Sequence, residues 1–113
     1  MTIDEFLRVE LRVGIVHAVE RVEGSNKLRK LLVNAGDVGE DGVARPRQII
    51  VGIGTAYAVE ELVNKQVVIM ANLDPKFLMG FESQRMLLAA KDKSGEPRLL
   101  TAQEEVSPGI KIG

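Results

Sequence analysis

Few side chains in this 113-residue sequence are of the types that do covalent chemistry. There is one histidine and no cysteine, which removes thiol nucleophiles, thiolate metal sites and disulfides together. His17 falls within a predicted strand and reads as a structural or half-exposed residue, not a base. Glu60 and Glu61 are neighbours on a predicted helix, so they point apart and form no carboxylate pair. No His/Cys/Asp cluster has metal-ligand spacing. Gly52-Ile53-Gly54 lacks the third glycine and the strand–turn–helix context of a dinucleotide site. No enzyme, metal or cofactor is expected. What remains is binding chemistry: the cations Arg21, Lys27, Arg29 and Lys30 facing only Glu23 nearby, and the polar run Glu82-Ser83-Gln84-Arg85 set between apolar segments.

Composition sets bounds on that binding. A net charge of −1, from 15 basic and 16 acidic residues, argues against indiscriminate adhesion to nucleic acid, which needs a basic excess. The charges are segregated, however. Asp37, Glu40 and Asp41 group together, as do Glu60 with Glu61 and Glu104 with Glu105, which leaves room for one basic surface. Hydrophobic content of 45% and charged content of 27% belong to a folded domain, and the length suits a single one over residues 1–113. With no apolar run near ~18 residues and no leader-like start, the expectation is a cytoplasmic protein without a membrane span.

The elements that must position these residues are mostly strands. Thr2-Ile3-Asp4-Glu5 is a capping box for a short helix through Phe6 and Leu7. Val9, Leu11, Val13 and Ile15 alternate with polar residues and open a long strand reaching Val22, with a bend expected at Gly14. Further strands are predicted over residues 28–33, 47–53, 67–71, 86–90 and 98–101, with an extended tail over 106–112. Residues 35–46 form a long exposed hairpin loop, and 57–63 a short helix that Asn64 can end in the left-handed conformation. Asp74 and Pro75 suggest one helical turn before Gly80. Five or six strands with small helical inserts give an all-β closed barrel of the OB-fold type, with short helical inserts and terminal extensions.

Asn72-Leu73-Asp74-Pro75-Lys76-Phe77-Leu78-Met79-Gly80-Phe81-Glu82-Ser83-Gln84-Arg85-Met86-Leu87-Leu88-Ala89-Ala90 closely resembles a tRNA-binding domain family. Its members stand at the C-terminus of many methionyl-tRNA synthetases and occur as free-standing proteins. The family pattern runs Asn-Leu-x-Pro-x-Lys-Leu-Met-Gly-x-x-Ser-x-Gly-Met-x-Leu-Ala-Ala; here Arg85 replaces the usual glycine, and the lysine comes one position early. Phe6-Leu7-Arg8-Val9-Glu10-Leu11-Arg12-Val13-Gly14, Lys27-Leu28 with Leu31, Val33 and Gly36, and the segments 47–53 and 57–65 extend the resemblance over nearly the whole chain. One loop departs: the family's His-Pro-x-Ala-Asp is Val22-Glu23-Gly24-Ser25-Asn26 here.

The resemblance implies an OB core that binds tRNA by overall form. Only Phe6, Tyr57, Phe77 and Phe81 are aromatic, too few for the usual stacking grip on single strands and better suited to backbone and shape readout. Lys27, Arg29, Arg47, Lys76 and Arg85 are the candidate phosphate contacts. Ser83, Gln84 and Met86 occupy the family's Ser-x-Gly-Met positions, suited to sugar or base-edge contact. The expected role resembles the methionyl-tRNA synthetase β-subunit, a structure-specific tRNA-binding protein acting in trans to retain tRNA. A homodimer is implied by family habit, and methionyl-tRNA synthetase is a possible partner. At 113 residues no synthetase catalytic domain is expected. The alternative is a homodimeric chaperone like CsaA, which the ending Pro108-Gly109-Ile110-Lys111-Ile112-Gly113 resembles and which binds unfolded or export-destined polypeptides. A docking module whose barrel face binds protein is a third reading. An exposed apolar patch between Leu78 and Phe81 would favour protein; a basic rim around Ser83 would favour RNA.

Overall fold

The computed structural model describes residues 1–78, 80–83 and 86–113. Strand β1 (Leu11–Arg21) is the axis of the fold, since it pairs on both edges. It meets β2 (Leu28–Asn34) through Ile15–Arg21, and β4 (Gln66–Met70) through Leu11–Ile15. Strand β3 (Arg47–Gly52) extends the sheet beyond β2. The short β7 (Met86–Leu87) extends it beyond β4, giving the antiparallel order β3-β2-β1-β4-β7. β7 then curls round beside β3. The result is the nearly closed five-strand barrel expected of an OB fold.

Inward alternation supplies the core. Leu31 and Val33 from β2, Ile49 from β3, Val67 and Ile69 from β4 and Val16 from β1 are all essentially inaccessible. Each such side chain contributes about 1.5–3 kcal/mol relative to exposure. Between β3 and β4 the helix α2 (Val59–Leu62) adds Leu62 to this cluster, and Asn64, at φ 68°, ends it as expected. At the N-terminus Thr2 and Glu5 close their capping box on helix α1 (Ile3–Phe6), none of whose residues is buried.

Three expectations are corrected. The bend in β1 lies at His17: Val16 pairs with Val33 and Ala18 with Leu32, so His17 is the extra, exposed residue of a bulge. Gly14 serves close approach instead, since a Cβ there would stand 2.5 Å from Val33 Cγ1. After Asp74 and Pro75 there is no helical turn. The segment is β5 (Lys76–Leu78), paired with β6 (Phe81–Ser83) across Gly80 at φ 81°. A single helical turn is costly to nucleate, and the hairpin gains contact with the barrel that the turn would forfeit. The strand expected over 86–90 divides at Leu88, whose N–H donates to Val68 O at 2.9 Å. Beyond it β8 (Ala89–Lys91) pairs with β9 (Pro97–Leu99).

The tail folds onto its own barrel. β10 (Lys111–Ile112) pairs with Leu11 and Arg12, and Val13 exchanges hydrogen bonds with Gly109 and Ile110. Gly36 and Gly109 permit this contact; a Cβ on Gly36 would lie 2.8 Å from Gly109 Cα.

One charged network pins the end of the barrel. Arg47 lies on the inward face of β3, opposite Val33, and only 8% of it is exposed. Its guanidinium forms a two-pronged pair with Asp37 and donates to Ala71 O at 2.8 Å. Asp37 also receives Arg12 Nη1 at 3.1 Å, and Arg12 in turn holds Glu10. The hydrogen bond from Arg47 holds the Asp37 carboxyl below the usual carboxylate range, against the opposing effect of partial burial. A depressed carboxylate stabilises the fold above its unfolded-state value, about 3.9, and that contribution is lost as pH falls through the folded-state value. Asp37→Asn is expected to cost about 2 kcal/mol at pH 7, below the ~3–5 of a fully buried broken pair, because Asp37 is 30% exposed. Urea midpoints measured from pH 7 down to pH 2 should show the gap between wild type and variant narrowing in the acid range. A constant gap would remove Asp37 as the titrating group.

Candidate functional site

The barrel leaves β3 and β7 without a continuous backbone ladder between them, and the β5–β6 hairpin covers that seam. Ile50 N–H donates to Ser83 Oγ at 3.0 Å, and Gln48 Nε2 donates to Glu82 O at 2.8 Å. On the outer face of β2, Lys30 Nζ sits 4.9 Å from the centre of the Phe81 ring and 2.9 Å from Glu20. Such cation–π contacts contribute about 0.5–1 kcal/mol at exposed sites. Because the hairpin lies over it, Ile50 is buried although it faces away from the core residue Ile49.

Between hairpin and barrel lies a cleft of about 490 Å³, bounded by Ile50 and Val51 on one side and by Lys76, Ser83 and Met86 on the other, with Asp74 at its wall. Lys76 is exposed and makes no ion pair among the described residues. Met86 offers an exposed thioether side chain, 46% accessible. The cleft therefore combines an apolar floor, a mobile-length cation and one buried hydroxyl. That set can hold a flat or sugar-like group while a phosphate sits at the rim; Asp74 would oppose an anion placed deep inside.

The structure thus brings together Lys76, Ser83 and Met86. Lys27 is exposed at the start of the β2–β3 ladder, where its carbonyl accepts from Gly54 N at 2.7 Å. Leu28 pairs with Gly52 and Lys30 with Ile50, so Lys27 stands at the same end of the ladder as the cleft. Two of the candidate phosphate contacts lie in the interior. Arg29 is 8% exposed, packs its guanidinium against Gly54, and donates to the carbonyls of Asn26, Leu28 and Gly54. Arg47 is spent on Asp37 and Ala71. Both face inward because they share strand parity with core residues, Arg29 with Leu31 and Val33, and Arg47 with Ile49. Gln84 and Arg85 lie outside the described residues. Lys30 and Gln48 were missed as site-builders; their outward parity beside Ile50 was the available signal.

Among the described residues no group of His, Asp and Glu could hold a metal ion, and no helix is long and apolar enough to cross a membrane. The barrel thus carries on its outer wall an open cleft with Lys76 and Asp74 on its lining. The sequence profile of the family described as "Putative tRNA binding domain" matches residues 11–111, and the chain belongs to that family. The chain is 48% identical over 112 residues to methionine–tRNA ligase from Methanocella arvoryzae, covering 99% of this chain and 15% of that protein. It therefore spans about a seventh of the length of that curated relative. The crystal structure of a MetRS related protein from Pyrococcus horikoshii superposes with a TM-score of 0.87 at 34% identity, covering 100% of this chain and 97% of that one. That of the CsaA chaperone protein from Picrophilus torridus gives 0.85 at 31% identity, with 100% and 99% covered.

Ser83 carries the geometry of the cleft. Ser83→Ala would leave the buried Ile50 N–H without its acceptor, at an expected cost of about 1–2 kcal/mol. Amide exchange at Ile50 should accelerate more than at Leu31. Equal protection in wild type and variant would show that the hairpin does not depend on this bond.

Proposed function

We propose that this chain is a non-catalytic tRNA-binding domain of the methionyl-tRNA synthetase β-subunit type, working in the cytoplasm and retaining tRNA for a synthetase acting in trans. The observation that carries the reading is the juxtaposition of Lys76, Ser83 and Met86 in one cleft on the barrel wall, in a chain of the tRNA-binding family. A second, weak tRNA site beside a catalytic one converts rebinding into a local event, and backbone readout of structured RNA suits a net charge near zero with Lys76 on the cleft. Gln84 and Arg85, which lie between the cleft residues Ser83 and Met86 in sequence, are kept as proposed RNA contacts.

With Arg29 and Arg47 committed to the interior, Lys27, Lys76 and Arg85 remain as phosphate contacts. Each neutralised phosphate contributes about 0.7–0.9 to the slope of log K against log salt. Lys76→Ala should weaken different tRNAs about equally and flatten that slope by a little under one unit. Filter binding of total tRNA across a salt series, with an unstructured RNA of equal length as control, makes the measurement. Affinity that ignores salt would remove the phosphate contacts, and with them the tRNA reading.

A chaperone of the CsaA kind is the second reading, supported by the structural likeness and by the exposed apolar side chains of Met86 in the cleft and Phe77 on the outer face of the hairpin. Both readings are compatible with a homodimer, which we also propose. Ile3 and Leu7 of α1 remain 71% and 59% exposed, and Ile110 is 47% exposed beside a groove lined by Ile15, Val106 and Pro108. By two-fold symmetry such a surface can meet itself. Sedimentation equilibrium should give twice the 12.4 kDa chain mass at micromolar concentration, and Ile110→Glu should halve it. A wild-type mass equal to one chain would overturn the dimer.

A further inference from the structure

We propose that the cross-strand pair Phe77–Glu82 reads one unpaired RNA base carrying an amino group on its pairing edge, in preference to uracil. The proposal rests on the tRNA reading above and deepens it. In the β5–β6 hairpin Lys76 pairs with Ser83, Phe77 with Glu82 and Leu78 with Phe81. Side chains alternate across a strand, so Lys76, Phe81 and Ser83 share the face turned to the barrel. Phe77 and Glu82 stand side by side on the opposite face. Directly opposed residues of this kind have Cβ atoms about 5 Å apart.

The two aromatic residues of the hairpin are treated differently. Phe81 is half-buried under the Lys30 ammonium, whereas Phe77 is 71% exposed. Among the described residues the Glu82 carboxylate makes no hydrogen bond or ion pair. An exposed ring beside a carboxylate that has no partner among the described residues defines its ligand narrowly. A phosphate would be repelled by Glu82. An apolar polypeptide segment would bury that carboxylate unpaired, which is costly. A nucleobase satisfies both groups: its π-face stacks on the phenyl ring, while an exocyclic amine donates to the carboxylate. Cytosine and adenine each offer an amino group on that edge, and guanine offers two adjacent donors. Uracil flanks its single N–H with carbonyls that the carboxylate repels. Lys76 projects from the other face of the same strand and serves the phosphate contact of the tRNA reading separately from this pair.

The test compares wild type with Phe77→Leu, Phe77→Tyr, Glu82→Ala and Lys76→Ala for total tRNA, with oligo(C) and oligo(U) octamers as competitors. Phe77→Leu should weaken tRNA binding about tenfold, the scale of one lost stack, with the salt slope unchanged. Phe77→Tyr should retain binding, and Glu82→Ala should abolish any preference for oligo(C) over oligo(U). If Phe77→Leu binds tRNA like wild type while Lys76→Ala still weakens it, the base-reading proposal fails and the tRNA reading stands. If wild type binds no tRNA, both fail. If Phe77→Leu loses only affinity for an unfolded polypeptide, the ring belongs to a protein surface and the proposal is overturned. Equal losses of melting temperature in Phe77→Leu and Phe77→Tyr would make the ring a packing element, which also overturns it.

Discussion

The seam between β3 and β7 is the constraint on which the rest of this structure depends. A barrel of five short strands must satisfy the backbone groups along the edge it does not fully close. Here a side chain does part of that work, with Ser83 Oγ accepting from Ile50 N–H. Once that bond fixes β6 over β3, Phe81 lies beneath Lys30, and Gln48 reaches the Glu82 carbonyl. The cleft is the space left under the covering hairpin. The same two residues, Ile50 and Ser83, thus hold the seam and line the cleft.

A second constraint divides the cations between interior and surface. Arg29 and Arg47 occupy inward positions near opposite ends of the β2–β3 ladder, where Arg29 faces Val51 and Arg47 faces Val33. A guanidinium carries enough donors to satisfy several carbonyls or a carboxylate at once. Arg29 takes three carbonyls and Arg47 takes Asp37 and Ala71. Such groups set the geometry of the barrel ends and leave the rim charge to lysines. The interior network takes two arginines for the single carboxylate of Asp37, so in a chain of net charge −1 any basic surface depends on where the lysines stand.

Much of the barrel was legible because strand period and turn chemistry agree with the final topology. The capping box at Thr2 and the left-handed Asn64 behave as local rules require, whereas β1 opens at Leu11 and its alternating residues Val13 and Ile15 have opposite parity to the core residue Val16. The local signal failed at Asp74-Pro75, where a helix start competes with long-range pairing of Lys76–Leu78 against Phe81–Ser83; no local pattern reports the open edge that the hairpin covers. It failed again at Gly14, which looks like a bulge residue but serves packing against Val33, while the bulge falls on His17. Of the candidate contacts, Lys76, Ser83 and Met86 meet in the cleft. Arg29 and Arg47 are interior, since charge alone does not mark a surface position. Their parity with Leu31, Val33 and Ile49 was readable, and it marks them as inward residues at the strand ends.

The central claim is that the hairpin-covered wall of the barrel is the face that takes tRNA. Mapping amide chemical-shift changes in the isotopically labelled chain during a tRNA titration tests it most directly. The account predicts that changes and broadening concentrate at Lys27, Ile50, Lys76, Phe77, Ser83 and Met86. The loop from Val38 to Ala44, at the far end of the β2–β3 ladder, and the groove at Ile15 and Val106 should be spared. Changes confined to that loop or that groove, with the hairpin silent at saturating tRNA, would contradict it.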